Sequence, residues 1–280
     1  MIMNIKLEAK DYFYEFSLKG KQTCVKINQA GKQAVEKIKR IIALIIRFIS
    51  VEATLAKSSR RAINRMMKRT GADYIHLTGK KDLTIFIHGF MSNETAFIDY
   101  DEQFENRCSF LRVNLSNTFR GIEDCALEIL AKIENLYHDD GPLEINLVGH
   151  SMGGIIAAEF AERFQSEKFI VKNVVAIGSP FKGTDHASEI PFIKSASQMQ
   201  PNSPFLKRLV NQMKENKHVA YHFAASDFDP IVPRDSSLPF GKNHYLLSEF
   251  AKKGHLCLLS DQGIKDWVIR CLGILDTSPY

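Results

Sequence analysis

Apolar residues follow two different rhythms along the chain, and the change comes near Gly79. Before it, alternating runs at Tyr12–Leu18 and Cys24–Ile27 predict a hairpin. From Gln33 to Lys68, apolar residues recur every three or four positions, which predicts two amphipathic helices. We therefore expect residues 1–78 to form a basic, largely helical N-terminal extension.

After Gly79, short β-branched runs alternate with helical segments, a pattern typical of a mainly parallel sheet with helices on both faces. The predicted strands are Leu83–Ile87, Cys108–Leu115, Leu143–Val148, Val171–Ile177 and Val219–Ala225. The predicted helices are Ile122–Tyr137, Met152–Phe164 and Asp266–Leu275. The pattern predicts the α/β fold class for a second domain, residues 79–280.

The composition is ordinary for a globular protein, but the charge is uneven along the chain. The 280 residues are 45% apolar and 25% charged, with a net charge of +5. Residues 1–80 hold 17 Lys and Arg against 6 Asp and Glu, or +11, whereas residues 81–280 hold 20 against 26, or −6. A basic segment fits an anionic surface such as a membrane. Nucleic acid is not an expected partner, because the basic residues lack interleaved aromatic side chains.

The N-terminus shows no secretory signal, because Lys6, Glu8, Lys10 and Asp11 interrupt any apolar core there. The longest strongly apolar run, Ile41–Ile46, is far shorter than the roughly 20 residues that span a bilayer. We expect a cytoplasmic protein. Peripheral membrane association and export without a cleavable signal stay open as alternatives.

The sharpest local motif is Gly149-His150-Ser151-Met152-Gly153, which fits G-x-S-x-G and lies between a predicted strand and a predicted helix. In such a turn the serine hydroxyl is exposed at the carboxyl edge of the sheet. Gly149 and Gly153 allow close backbone approach there. The motif predicts Ser151 as a nucleophile. A glycine-rich turn that only packs a helix on a strand is the alternative.

An acyl-transfer site also needs two N–H donors for the tetrahedral oxygen. One is expected from Met152, the residue after the nucleophile. The other is expected from Phe90, in the loop His88-Gly89-Phe90-Met91 that follows the first predicted strand. We expect His88 to organise this loop by hydrogen bonding, with a role as catalytic base as the less favoured alternative.

Three motifs together resemble the bacterial lipase-like branch of the α/β-hydrolases, of triacylglycerol lipase and carboxylesterase type. They are the strand with H-G-F, the G-H-S-M-G turn, and Gly178-Ser179-Pro180-Phe181-Lys182-Gly183-Thr184. The resemblance covers about residues 80–275. It implies the α/β-hydrolase fold, a serine nucleophile, and an insertion over the active site, which here is residues 184–217. The apolar residues of this insertion either line an acyl pocket as a lid or cap, or pack as core.

In this fold the catalytic acid and base follow the serine in that order. Asp227 and Asp229 compete for the acid, and the family pattern before Ile231-Val232-Pro233 selects Asp229. Asp227 is expected to cap the turn or bond the loop backbone. For the base, the resemblance of Gly254-His255-Leu256 to a family motif selects His255, with His244 as the alternative.

These residues predict a serine hydrolase that cleaves carboxylic esters, with a lipid-like ester as its substrate, through an acyl-enzyme on Ser151. An acyl-thioesterase or phospholipase with the same triad is the alternative, and a non-catalytic binding module is less favoured. The five widely spaced cysteines form no C-x-x-C pair, so we expect no metal and no other cofactor. Residues 33–69 are expected to pack on a protein surface or to contact an anionic membrane peripherally.

Overall fold

The computed structural model describes residues 13–18, 21–26, 29–55, 71–79, 82–139, 141–240, 244–247 and 253–274. The chain divides into two compact units, Met1–Ile46 and Arg47–Tyr280. The second helix predicted in the extension, from Leu55 to Met67, lies outside the described residues beyond Leu55. The boundary placed between residues 78 and 79 stays a prediction.

The first unit begins with the predicted hairpin. Strand β1 (Phe13–Leu18) pairs antiparallel with β2 (Lys21–Lys26), and Phe13 lies opposite Lys26. Helix α1 (Gln29–Leu55) follows, is 27 residues long and continues past Ile46, where the first unit ends. It begins four residues before the predicted start, at Gln29 rather than Gln33. None of the helices in the described part of the chain is long and apolar enough to cross a membrane.

The second unit is built on a seven-stranded sheet with the order β3-β5-β4-β6-β7-β8-β9. Its strands are β3 (Tyr74–His76), β4 (Asp82–Ile87), β5 (Ser109–Val113), β6 (Leu143–His150), β7 (Phe169–Ile177), β8 (Ala220–Ser226) and β9 (His244–Leu247). All neighbours pair in parallel except β3 and β5, which are antiparallel. The mainly parallel sheet is therefore confirmed, and two short edge strands join the five predicted ones.

The helices of this unit connect the strands. They are α2 (Asp101–Phe104), α3 (Ile122–Leu136), α4 (Met152–Phe164), α5 (Asp185–Ser188), α6 (Lys194–Gln198), α7 (Pro204–Glu215), α8 (Arg234–Ser237) and α9 (Gln262–Leu272), with 3-10 turns at Glu94–Tyr100 and Leu256–Ser260. Helix α9 begins four residues before its predicted start because the Asp261 side chain accepts a hydrogen bond from Ile264 N, 3.0 Å. It ends at Gly273, whose φ of 67° provides a left-handed cap.

The two faces of the sheet bury separate sets of side chains. On one face, Phe86 of β4 packs within 5.9 Å, centroid to centroid, of the rings of four buried aromatic residues, Phe97, Tyr100, Phe104 and Phe110. Helix α9 closes this cluster with Ile264, Val268 and Leu272. On the other face α4 packs so closely that a Cβ on Gly154 would lie 2.9 Å from the Ala176 Cβ. The sheet is therefore rigid where its central strands end, and the loops there are held on a fixed frame.

Candidate active site

Ser151 occupies the sharp turn between β6 and α4, as the motif predicts. Its φ of 56° and ψ of −127° are unusual for a residue with a side chain. Its N–H donates to Ile177 O of the neighbouring strand at 2.9 Å. A conformation of this kind costs about 1–3 kcal/mol and persists only where the surroundings enforce it.

Close packing of the turn against two strands enforces this conformation. A Cβ built on Gly153 would lie 2.1 Å from Ile87 O, and one on Gly149 would lie 2.3 Å from the Gly153 carbonyl carbon. Both distances are far inside van der Waals contact, so no side chain fits at either position. The two glycines of the motif thus allow the chain to fold back tightly and carry Ser151 at its apex.

Asp229 and His255, which lie 26 residues apart, meet in a buried hydrogen-bonded pair. Asp229 Oδ2 and His255 Nδ1 are 2.7 Å apart, and the Asp229 side chain is 1% exposed. The other carboxylate oxygen, Oδ1, accepts hydrogen bonds from Ile231 N at 2.8 Å and Val232 N at 2.9 Å. A carboxylate fixed in this way only accepts hydrogen bonds, so Nδ1 of neutral His255 carries the proton and Nε2 is the basic nitrogen.

His150, the residue before Ser151, contacts His255, which the sequence motif alone did not reveal. Its Nε2 donates to the His255 carbonyl oxygen at 3.1 Å, and the two imidazole centroids are 4.6 Å apart. Burial, followed by the proximity of His255, holds the pKa of His150 well below its ordinary value. His150 is therefore neutral, and its hydrogen bond joins the turn that carries Ser151 to the backbone of His255.

The loop after β4 lies directly against Ser151. A Cβ on Gly89 would come within 2.9 Å of the Ser151 Cβ, so Gly89 provides the space for this approach. Phe90 follows in the chain, and Met152 is buried at the start of α4. The two amides predicted to bind the oxyanion thus belong to residues directly bonded to Gly89 and Ser151.

His88 organises this loop. Its Nδ1 donates to Gly89 O at 2.9 Å, and its Nε2 accepts from Leu115 N at 3.1 Å. Only a neutral imidazole can donate from Nδ1 and accept at Nε2. Consistent with this, burial lowers the pKa of His88 to about 4. In a trans peptide the C=O and N–H point in opposite directions. By holding Gly89 O, His88 therefore also fixes the direction of the Phe90 N–H.

The alternative acid and base lie in other surroundings. The Asp227 carboxylate pairs with Arg234 at 3.0 Å, and the neighbouring Ser226 Oγ accepts from Phe228 N in its place, 3.1 Å. The expectation that Asp227 caps the turn is thus wrong, because Arg234 captures its side chain. His244 is exposed at the first position of edge strand β9.

A partly exposed aromatic pair includes Phe90 of the loop after β4. The rings of Phe90 and Phe119 are 5.3 Å apart, and Phe119 is 37% exposed. Thr118 fixes the loop that carries Phe119, because its Oγ1 accepts from Met91 N at 3.1 Å and its carbonyl accepts from Ser195 Oγ at 2.7 Å. Phe90 follows Gly89 in the chain, so the pair adjoins the loop that approaches Ser151.

The predicted insertion, residues 184–217, packs on the domain through α5, α6 and α7. Its apolar residues Ile190, Ile193, Met199, Leu206, Leu209 and Met213 are buried. Arg208 of α7 bonds Glu159 of α4 at 2.9 Å. Burial raises the pKa of Glu159, against the opposing effect of Arg208. Core packing accounts for these residues, and a lid role stays a prediction.

Among the described residues, no group of three or more His, Cys, Asp and Glu side chains is arranged to hold a metal ion. Ser151 lies at the apex of the turn, and the preceding residue, His150, contacts the hydrogen-bonded Asp229–His255 pair. Serine, histidine and a carboxylate are the groups that nucleophilic catalysis by a hydroxyl uses.

Solved structures share this architecture at low sequence identity. Bacillus licheniformis lipase BlEst2 in mature form has a TM-score of 0.57 and 16% identity over 74% of this chain and 100% of its own. The product of gene lin2722 from Listeria innocua has a TM-score of 0.56 and 17% identity over 71% and 96% of the two chains. Est1E from Butyrivibrio proteoclasticus, with ferulic acid bound, has a TM-score of 0.51 and 15% identity over 72% and 95%. These likenesses show the α/β-hydrolase fold expected from the sequence.

A match to a family model identifies the family to which the chain belongs. No curated protein matches the chain in sequence. The model described as thioesterase domain matches residues 83–227, which is more than half of the 280 residues. The matched segment runs from β4 to the loop after β8 and contains Ser151. The chain belongs to the thioesterase-domain family of the α/β-hydrolases.

Proposed function

We propose that the protein hydrolyses carboxylic esters with apolar acyl groups, using Ser151 as nucleophile, His255 as base and Asp229 as acid. The observation that carries this proposal is the buried Asp229–His255 pair, 2.7 Å apart. His150, the residue before Ser151, donates a hydrogen bond to the His255 carbonyl oxygen. A histidine whose tautomer is fixed by a buried carboxylate is the partner that a serine nucleophile needs.

The proposed reaction has two halves. In the first, His255 Nε2 takes the Ser151 proton while Oγ attacks the ester carbonyl, and the Phe90 and Met152 amides bind the oxyanion. The protonated imidazole then gives this proton to the leaving alcohol as the C–O bond breaks, which leaves an acyl-enzyme. In the second half, water loses a proton to His255 and attacks the acyl carbon. The proton returns to Ser151 Oγ as the acid leaves, so the enzyme is restored.

The surroundings of Ser151 favour an apolar acyl group. The Phe90–Phe119 surface lies next to the loop that approaches the nucleophile, and aromatic side chains contribute large apolar contact areas. Two structures of the same fold are consistent with such a substrate. One is a lipase from Bacillus licheniformis, and the other is Est1E from Butyrivibrio proteoclasticus with ferulic acid bound. Both names fit an ester of a hydrophobic acid.

A thioester substrate is the second candidate, and the family match favours it. The matching model is described as a thioesterase domain, and the same serine, histidine and aspartate can cleave either bond. The two candidates differ only in the leaving group, which the protein protonates in both cases.

Matched substrates test the proposal. Purified protein is assayed with p-nitrophenyl acyl esters and with acyl thioesters of N-acetylcysteamine that carry the same acetyl, butyryl, octanoyl and palmitoyl groups. We expect kcat/KM to rise from acetyl to octanoyl and to be larger for the oxyesters. Larger values for every thioester would make the protein a thioesterase. Turnover of neither series would contradict hydrolase activity and favour a binding module.

A further inference from the structure

Helix α1 carries an apolar face that is open to solvent. Ile38 and Ile46 are 54% and 59% exposed. Val35, Ile41 and Ile42 are only half-buried, and no α1 side chain whose burial is described is buried. Soluble proteins rarely leave a row of isoleucines in water without a partner, because each such residue loses apolar burial.

Four apolar residues of α1 share one side of the helix. Lys37, Arg40 and Arg47 lie on the opposite side, whereas Lys32 and Lys39 flank the apolar arc. At 100° per residue, Val35, Ile38, Ile42 and Ile46 fall within an arc of about 80°, whereas Arg40 lies more than about 100° outside it. The charged residues of the helix are Lys32, Lys37, Lys39, Arg40 and Arg47, against Glu36 and Glu52, which is a net charge of +3.

We propose that α1 binds parallel to the surface of an anionic lipid bilayer, with Ile38 and Ile46 in the acyl boundary and the basic face among the headgroups. Charge complementarity selects this partner, because the cations on and around the helix match acidic lipids. The helix is about 40 Å long at 1.5 Å per residue. Ile38 and Ile46 lie about two helical turns apart on its apolar side, so both can contact the same membrane surface. It is not apolar enough to span the membrane.

Vesicle co-sedimentation of the full chain tests this inference. The lipids are phosphatidylcholine alone, and phosphatidylcholine with about a third of phosphatidylglycerol, each at low and high salt. We expect binding to the anionic vesicles and a marked loss of that binding at high salt. Equal binding to both lipids, or no binding to either, would overturn the proposal.

Two sets of variants test the apolar face and the cationic residues of α1. Ile38→Glu with Ile46→Glu should weaken binding roughly 100-fold, since losing each isoleucine costs about tenfold. The matched control is Leu127→Glu, an exposed leucine of α3 that is 50% exposed, and it should bind as the wild type does. Arg40→Glu should weaken binding about tenfold, whereas Lys214→Glu, at an exposed position of α7, should leave it unchanged.

Two further measurements keep the result interpretable. Circular dichroism should show unchanged helix content in each variant, so that a loss of binding reflects the surface and not the fold. Light scattering of the wild type should show a monomer. The wild type could instead form a dimer that Ile38→Glu with Ile46→Glu dissociates, and fail to bind vesicles. That result would overturn the proposal and assign the apolar face to contact with a second copy of the chain. The test uses no substrate, so its failure is distinct from failure of the proposed hydrolase activity.

Discussion

Replacing Asp229 by Asn changes one heavy atom of the proposed triad and leaves the shape of the side chain intact. Asp229 Oδ1 accepts from two backbone amides, at 2.8 and 2.9 Å. In Asp229→Asn the amide oxygen takes this place, because an NH₂ group would face two donors. The NH₂ group then faces His255 Nδ1, 2.7 Å away in the wild type. The imidazole must accept there, so its proton moves to Nε2.

The cost of this change follows from the tautomer. With Nε2 protonated, His255 has no lone pair for the Ser151 proton, so the attack loses its base. The same substitution in a serine triad lowers kcat about 10⁴-fold, or about 5 kcal/mol in the activation free energy. Asp229 is 1% exposed, so solvent cannot easily replace the lost carboxylate. We expect a fall in kcat of about 10³- to 10⁴-fold with KM almost unchanged.

The neighbouring aspartate supplies the matched control. Asp227 lies two residues earlier and pairs with Arg234 on the surface, so Asp227→Asn should change kcat less than about twofold. Both variants are assayed with p-nitrophenyl octanoate, and their thermal unfolding is followed to confirm the fold. Equal losses in the two variants, or a loss below tenfold in Asp229→Asn, would refute the reasoning.

Three further predictions concern the Phe90–Phe119 surface, the loop that His88 organises and the insertion of residues 184–217. Phe119→Ala removes one of the two rings of the Phe90–Phe119 surface, which we propose contacts the acyl group. We therefore expect kcat/KM for octanoyl esters to fall about tenfold and that for acetyl esters to stay unchanged. Burial lowers the pKa of His88 to about 4 in the folded protein. Between pH of about 6.5 and 4, His88 is therefore protonated in the unfolded chain but neutral in the folded one. Unfolding free energy from urea titrations should therefore fall by about 3 kcal/mol as the pH drops from 6.5 to 4, and His88→Asn should lack this part. Arg208→Met leaves Glu159 without its partner, so the same titrations should show a loss of about 1–3 kcal/mol at pH 8 that shrinks at pH 5 as the carboxylate takes up a proton.

Each of these predictions has an outcome that contradicts it. Leu127→Ala is the control for Phe119→Ala, and the same loss in both would mean that the Phe90–Phe119 surface does not contact the substrate. Parallel pH curves for wild type and His88→Asn would mean that His88 does not bind its proton more weakly in the folded state. A loss in Arg208→Met that is equal at pH 5 and pH 8 would show that the charge of Glu159 is not responsible.

The central strands and long helices could be predicted from the sequence because their signals are local. Helix α4 has the predicted bounds, since the glycine-rich turn before it and its apolar periodicity lie within one segment. Strands β3 and β9 have only three and four residues, too few to show a period. Their existence depends on pairing with β5 and β8, which are distant in the chain.

The contacts of the candidate site also divide into local ones, which the sequence predicts, and distant ones, which it does not. The selection of Asp229 agrees with the two amides that bind it, which follow within three residues. The surroundings of Asp227 depend on Arg234, seven residues on, and no motif indicated that pair. The contact of His150 with His255 joins residues 105 positions apart, so only the folded chain reveals it.

The central claim is that Ser151 is the nucleophile of a triad. The most direct test is covalent labelling with a fluorophosphonate, followed by intact-mass and peptide mass spectrometry. We expect one adduct on the wild type, located at Ser151, no adduct on Ser151→Ala, and strongly slowed labelling of His255→Ala. Labelling of Ser151→Ala at the wild-type rate, or an adduct at another residue, would contradict it.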